Sequence, residues 1–177
     1  MVRSFVKMHG AGNDFVMLDL RDGSSAPTAA QAAAIADRRR GIGCDQVVVI
    51  EGSRTGIADF GLAFFNADGT PSAACGNGTR CAASLLMGET GADHLSLETE
   101  GGILDCHAAG DGRVTVDMGR PRLGWQEIPL SEDRDTLHLG IAQGPVSDPV
   151  GVSMGNPHAV FFVDDLDAVP IPTVGPK

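Results

Sequence analysis

Cys75 is the residue whose surroundings best suit chemistry. It stands in AACGNGTRCAASLLMG, Ala73 to Gly88, between two alanines and a Gly-Asn-Gly, with a helical pattern behind it. A free thiol titrates near 8.5, and only the thiolate is a good base or nucleophile. A helix start offers N–H groups without intrahelical acceptors and a partial positive charge. A CGNG loop running into a helix is therefore expected to lower the Cys75 thiol, and it sets a candidate thiolate beside an anion cradle. Gly76 and Gly78 let the backbone come close to a bound carboxylate. The ordinary structural alternative is a buried cysteine at a helix cap.

The flanking sequence predicts how that loop is carried. Ser4–Lys7 and Phe15–Leu20 read as short strands around the turn-rich HGAGND. Thr28 followed by Gln31 has the pattern of a capping box ahead of AAQAAAIADRRR, a helix expected to stop near Gly41. QVVVI reads as a buried strand. In DFGLAFF the alternation of Phe60, Leu62 and Phe64 marks a half-buried one. NADG is a turn, and Thr79–Met87 is a helix closed by Gly88. LSLETEGGILDC reads as a hairpin across Gly101-Gly102. GDGRVTVDMG adds a turn and a strand with Val114, Val116 and Met118 on one face. GRPRLG looks like a linker. After it the patterning weakens until VSMGNPHAVFFVDD, a turn feeding an apolar strand, and the Pro-rich VPIPTVGPK has no pattern.

The bulk composition narrows the function classes. The chain has 177 residues, 42% of them hydrophobic, and a net charge of −10. No apolar run approaches the roughly 20 residues of a membrane span, and MVRSFVKMHG lacks the apolar core of a signal peptide. No membrane partner and a cytoplasmic location are expected. The one dense basic spot, Arg38-Arg39-Arg40, falls at the end of a predicted helix, where it complements the helix dipole. With so few clustered cations, no nucleic acid partner is expected. Cys44, Cys75, Cys81 and Cys106 lack CxxC spacing, so no metal site is expected and reduced thiols are. Cys44 and Cys106 sit in apolar strand-like stretches and read as inert.

Two segments echo each other. GNDFVMLD begins at Gly12 and GNPHAVFFVDD at Gly155, each a Gly-Asn turn, an apolar strand and an Asp. If they mark duplicated domains, the offset from Asn13 to Cys75, 62 residues, puts the counterpart of Cys75 near position 218. That lies past the 177 residues of this chain.

MHGAGNDF, GCDQ, FNADGTPSAACGNGTRC and MGNPHAV closely resemble the diaminopimelate epimerase family, and the resemblance runs along the whole chain. It implies an α+β fold of two pseudo-symmetric domains, each a β-sheet wrapped around a central helix, with the substrate in the cleft. It implies a 1,1-proton transfer without pyridoxal phosphate or any other cofactor, converting LL-diaminopimelate to the meso form for lysine and peptidoglycan synthesis. The family uses two cysteines, one per domain, and Cys75 matches the first. By the same match Gly76 and Asn77 cradle the reacting carboxylate, and Asn13, Gln46, Asn66 and Asn156 bind substrate. Neutral amides suit a zwitterion because they donate to carboxylate and accept from ammonium. As turn formers, Asn13, Asn66 and Asn156 also have an ordinary role. His158 matches a residue that assists the catalytic thiol, and Cys81 reads as packing.

The sequence departs from the family in length. It has no Glu-Arg-Gly segment and no second Cys-Gly-Thr-Gly loop with its helix. The expected division is a nearly complete first domain, residues 1–118, and a partial second one, residues 119–177, through which a homodimer or other association is possible. The functions in view are an epimerase represented by its first thiol and inactive alone, a binding or interaction remnant, and another Cys-dependent enzyme of the proline-racemase-like superfamily, such as a hydrolase using Cys75 and His158.

Overall fold

A computed structural model describes residues 3–175 and divides the chain into two compact units, Met1–Met118 and Gly119–Lys177. In the first unit the order is β1 (Val6–Gly10), β2 (Asn13–Asp19), α1 (Ala29–Ala36), β3 (Gln46–Gly52), β4 (Phe60–Asn66), β5 (Pro71–Ser72), α2 (Gly76–Thr90), β6 (His94–Thr99), β7 (Gly102–Ala108) and β8 (Val114–Asp117). The strands form one mixed sheet in the order β1-β2-β3-β4-β6-β7-β8, with β5 on β4. The β2–β3 and β4–β6 pairs are parallel and the others antiparallel.

The sheet curls around α2. Phe15, Met17, Val48, Ile50, Leu62, Phe64, Leu97 and Cys106 form one apolar face, filled by Cys81, Ala82, Ala83 and Leu86 of the helix. Both edges of the sheet reach the first turns of α2. A Cβ on Gly10 of β1 would stand 3.4 Å from the Asn77 carbonyl oxygen, and one on Gly76 would stand 3.5 Å from Sδ of Met118, which follows β8. This is the α+β architecture, a sheet wrapped around a central helix, that the resemblance implies. On the opposite face Val16, Leu18, Val47 and Val49 pack with Ala36 and Ile35 of α1. Strands β2 and β3 are thus buried on both faces, which is why QVVVI carries no polar alternation.

Several local signals act as expected. Thr28 and Gln31 form the capping box of α1. The β1–β2 hairpin turns at Ala11 and Gly12, both with positive φ, 53° and 86°, the geometry of a type I′ turn. Two expectations need correction. Helix α2 does not stop at Gly88 but runs to Thr90, capped by left-handed Gly91 whose N–H reaches the Met87 oxygen. A glycine inside a helix costs only about 1 kcal/mol, and the buried Leu86 and Met87 outweigh it. Helix α1 ends at Ala36, so the basic triplet does not complete a helix end. Instead Asp37 accepts the N–H groups of Arg39 and Arg40, and Arg38 pairs with Asp14 and Asp45, each at 2.7 Å.

The second unit contains β9 (Ala142–Gln143) paired with β10 (Val146–Ser147), β11 (Val150–Ser153) paired with β12 (Pro157–Val160), and the one-turn α3 (Ile171–Val174). The expected apolar strand is shorter than its sequence. β12 ends at Val160, and Phe162 is 81% exposed. It pairs only with β11 among the described residues, and a strand without a covered face gains little from extending. The Pro-rich end forms α3, while Pro176 and Lys177 lie outside the described residues.

Candidate active site

Cys75 is the N-cap of α2. Its backbone is extended (φ −151°, ψ 101°), and its sulfur takes the N–H of Gly78 at 3.3 Å. The thiol thus fills the role usually played by a Ser or Asp oxygen. The cap is locked from behind, because the Cys75 carbonyl accepts both the N–H and the hydroxyl of buried Thr79, at 2.8 and 2.9 Å. Gly78 is required for space. A Cβ there would stand 3.0 Å from a Phe64 ring carbon and 3.4 Å from the Cys75 sulfur. By helix geometry the N–H groups of Gly76 and Asn77 have no acceptor within the helix.

Burial pushes the Cys75 thiol up, against the N–H groups of Gly78 and Asn77 and the charge of Arg80, which pull it down. This reverses the expectation that the helix start lowers it. At a half-buried sulfur the lost hydration of the thiolate outweighs two N–H groups. Burial also raises Cys44 and Cys81, and it pushes Cys106 up to about 11. Cys75 is distinguished by access, since the other three are buried.

Three of the amides singled out in the sequence stand at the same end of the sheet. Asn13 opens β2, Gln46 opens β3 and Asn66 closes β4, directly opposite Gln46 in the antiparallel register. The Asn13 oxygen lies 3.9 Å from the Cys75 sulfur and accepts its S–H. Gln46 Nε2 donates to Asn66 Oδ1 at 2.9 Å, Asn66 Nδ2 to Thr70 Oγ1 at 3.1 Å, and that hydroxyl to Asp68 at 2.6 Å. The chain has a direction because a carboxylate only accepts. Its far end is Gln46 Oε1, a buried acceptor with no hydrogen-bond partner. Such groups are few in native proteins.

Asn77, on the first turn of α2, takes a hydrogen bond from Arg80 through its side-chain oxygen. The structure therefore gathers Cys75, Gly76, Asn77, Asn13, Gln46 and Asn66 within the first unit. Asn156 and His158 belong to the second, in the turn and the exposed strand β12 of the β11–β12 hairpin, where His158 Nε2 is 3.0 Å from Asn156 Oδ1. Sequence reasoning missed Asp45, Asp68, Thr70 and Arg80. Each is next to or within a quoted motif, GCDQ, FNADGT or GNGTR. The partners Asp14 and Asn13 of Asp45 lie 31 and 32 residues away and leave no local trace, whereas Asp68, Thr70 and Arg80 bond within four residues and were legible locally. Among the described residues no group of three His, Cys, Asp or Glu side chains is arranged to hold a metal ion, and no helix is long and apolar enough to cross a membrane.

The family model described as diaminopimelate epimerase matches residues 5–124. A diaminopimelate epimerase of Acidiphilium cryptum is 56% identical over 175 residues, covering 99% of this chain and 62% of the relative. One from Rhodospirillum centenum is 52% identical over 176 residues, covering 99% and 60%. The chain thus spans about three fifths of the length of these relatives. Among solved structures, a hydroxyproline epimerase from Agrobacterium vitis superposes with a TM-score of 0.64 at 17% identity, covering 93% of this chain and 53% of that one. A phenazine biosynthesis protein from Bacillus anthracis does so with a TM-score of 0.58 at 19% identity, covering 94% and 56%. At these identities the superpositions speak for the fold.

Proposed function

The chain belongs to the diaminopimelate epimerase family, and on that premise we propose that it supplies one half of a site that inverts an amino-acid α-carbon without a cofactor. The observation that carries this reading is the thiol of Cys75, accessible and seated on a helix N-terminus, with the amides of Asn13, Gln46 and Asn66 at the same end of the sheet. The substrate is LL-diaminopimelate and the product its meso form.

An α-proton is very weakly acidic, and no electron sink is invoked. As one thiolate takes it, the C–H bond breaks, an S–H bond forms, and negative charge develops on the α-carbon and its carboxylate. The N–H groups of Gly76 and Asn77 and the α2 dipole stabilise that charge. A second thiol delivers its proton to the opposite face, which inverts the centre and leaves a thiolate. Cys75 acts as acid in one direction and as base in the other, and a thiol raised by burial rests in the acid form. Gln46, Asn66, Asn13 and Asn156 hold the zwitterion, and His158 assists the thiol chemistry.

The polypeptide of 177 residues carries one thiol of this pair, because Cys44, Cys81 and Cys106 are buried. By itself it should not turn over. Losing the partner acid costs roughly 10²–10⁴ in rate, and losing one set of donors about 10²–10³. The reading assigns the protein to the cytoplasm, where its free thiols stay reduced. It also allows self-association through the second unit, where Phe162 and Leu166 are exposed.

The test is incubation with LL-diaminopimelate in D₂O, following α-deuterium uptake and meso product. The 177-residue chain is assayed alone and with a polypeptide covering the remaining length of a family relative. Product is expected only from the mixture, and none from a mixture carrying Cys75→Ala. Robust meso product from the chain alone would sink the two-thiol reading. Unaltered turnover in the Cys75→Ala mixture would remove Cys75 from the mechanism.

A further inference from the structure

Asn13 is held in one direction by a group that cannot donate. Its Nδ2 gives a hydrogen bond to Asp45 Oδ2 at 3.0 Å, and the same oxygen takes the N–H of Asp14 at 3.0 Å. The other oxygen of Asp45 takes a guanidinium N–H of Arg38 at 2.7 Å. Arg38 in turn holds Asp14, which also pairs with Lys7. An ionised carboxylate has only acceptors. An amide facing it must present nitrogen and turn its oxygen the other way. That oxygen lies 3.9 Å from the Cys75 sulfur. The two ends of a side-chain amide are alike in shape and opposite in chemistry, so the carboxylate decides which one the thiol meets.

We propose that Asp45, clamped by Arg38, is a positioning residue that fixes the Asn13 amide with its oxygen toward Cys75, so that Cys75 rests as a hydrogen-bonded thiol and not as a thiolate. Its catalytic meaning rests on the epimerase reading, whereas the state of the thiol is measurable without substrate. An acceptor oxygen stabilises S–H, while a donor nitrogen in its place would stabilise S⁻. The charged and titratable neighbours of the sulfur on α2 are Arg80 and Cys81. Asp14, Asp45, Arg38 and Lys7 stand behind Asn13. Toward β3 and β4 the first turn of α2 meets the apolar Val48 and Phe64, and Met118 lies beyond β8. Beside burial and the N–H groups of Gly78 and Asn77, Asn13 is the neighbour whose two ends would act on the Cys75 proton with opposite sign.

The experiment is the rate of Cys75 alkylation by iodoacetamide against pH, read by mass spectrometry on the full chain. The proteins are wild type, Asp45→Asn, Asn13→Ala and the double variant. In Asp45→Asn one oxygen is left for three donors, Arg38, the Asp14 N–H and Asn13 Nδ2; the charged guanidinium takes it, and an NH₂ group then faces Asn13. The Asn13 amide then turns over and donates to sulfur. Alkylation at pH 7 should accelerate roughly tenfold, the typical effect of one hydrogen bond to a charged group, and its pH profile should move to lower pH. In the Asn13→Ala background the same change at position 45 should alter the rate less than about twofold. An equal acceleration in that background would mean that loss of charge suffices, and would overturn the proposal. An unchanged profile in Asp45→Asn would also overturn it.

Asn13→Ala gives an independent sign, useful if Asp45→Asn folds poorly. Loss of an acceptor oxygen speeds alkylation, whereas loss of a donor nitrogen slows it, and slowing refutes the orientation. No arm uses diaminopimelate, so failure of the epimerase reading and failure of this one are read separately.

Discussion

Adding one methyl group at two positions of the same helix turn should have opposite consequences. Gly76 and Gly78 both lie in the first turn of α2, and either Gly→Ala change gains up to about 1 kcal/mol from helix propensity and a less flexible unfolded chain. Their surroundings differ. The new Cβ at position 76 would be 3.5 Å from the Met118 sulfur, an ordinary contact. At position 78 it would be 3.0 Å from Phe64 Cε1 and 3.4 Å from both Cys75 Sγ and Val48 Cγ2. Phe64 and Val48 are 2% and 0% exposed, so neither can swing into solvent. Overpacking of this kind costs roughly 1–3 kcal/mol. The propensity gain is shared and cancels in the comparison. For a unit of this size about 1 kcal/mol corresponds to roughly 3–6 °C, so Gly78→Ala should melt about 3–18 °C below Gly76→Ala. Thermal melts followed by circular dichroism read this directly. Gly78→Ala should also change the rate of Cys75 alkylation, because the displaced helix start carries the Gly78 N–H away from sulfur. Equal melting temperatures for the two variants would refute the claim that the thiol is wedged between this glycine and the sheet.

Iodoacetamide at neutral pH should label Cys75 before Cys44, Cys81 and Cys106, on grounds of access, and diaminopimelate should slow the labelling; earlier labelling of Cys44 or Cys106 counts against the site. Asn66→Ala and Asn156→Ala should weaken diaminopimelate binding about tenfold or more, in a protein complemented to family length, with little change in melting temperature; a large loss of stability with unchanged affinity would return both to simple turn formers. Leu86→Ala, at a fully buried position facing the sheet, should cost about 2–5 kcal/mol in a denaturant titration. The Arg38 and Lys7 contacts hold the Asp14 carboxyl well below the usual carboxylate range. Its stabilising effect is present above the unfolded value near 4 and is lost as pH falls below it. Arg38→Met should therefore raise the pH of acid unfolding, and an unchanged midpoint would dismiss the pair as a contributor.

What the sequence by itself determined is local or periodic. The Thr28–Gln31 capping box, the Gly-containing hairpin at residues 10–13, the alternation in β4 and the placement of Cys75 at a helix start all follow from interactions within a few residues. Motif matching added the α+β architecture and drew attention to Asn13, Gln46 and Asn66. Tertiary structure decided matters that depend on distant partners. It carried α2 through Gly88 because the curled sheet buries Leu86 and Met87. It took Arg38 from a helix end to Asp14 and Asp45. It reversed the expected direction of the Cys75 shift, since the desolvation of a thiolate depends on Phe64, Val48 and the rest of the wrapped sheet. It also set the polarity of the site amides. Whether Asn13 shows sulfur an oxygen or a nitrogen is settled by a carboxylate 32 residues away in the chain, and no pattern local to Asn13 encodes that choice.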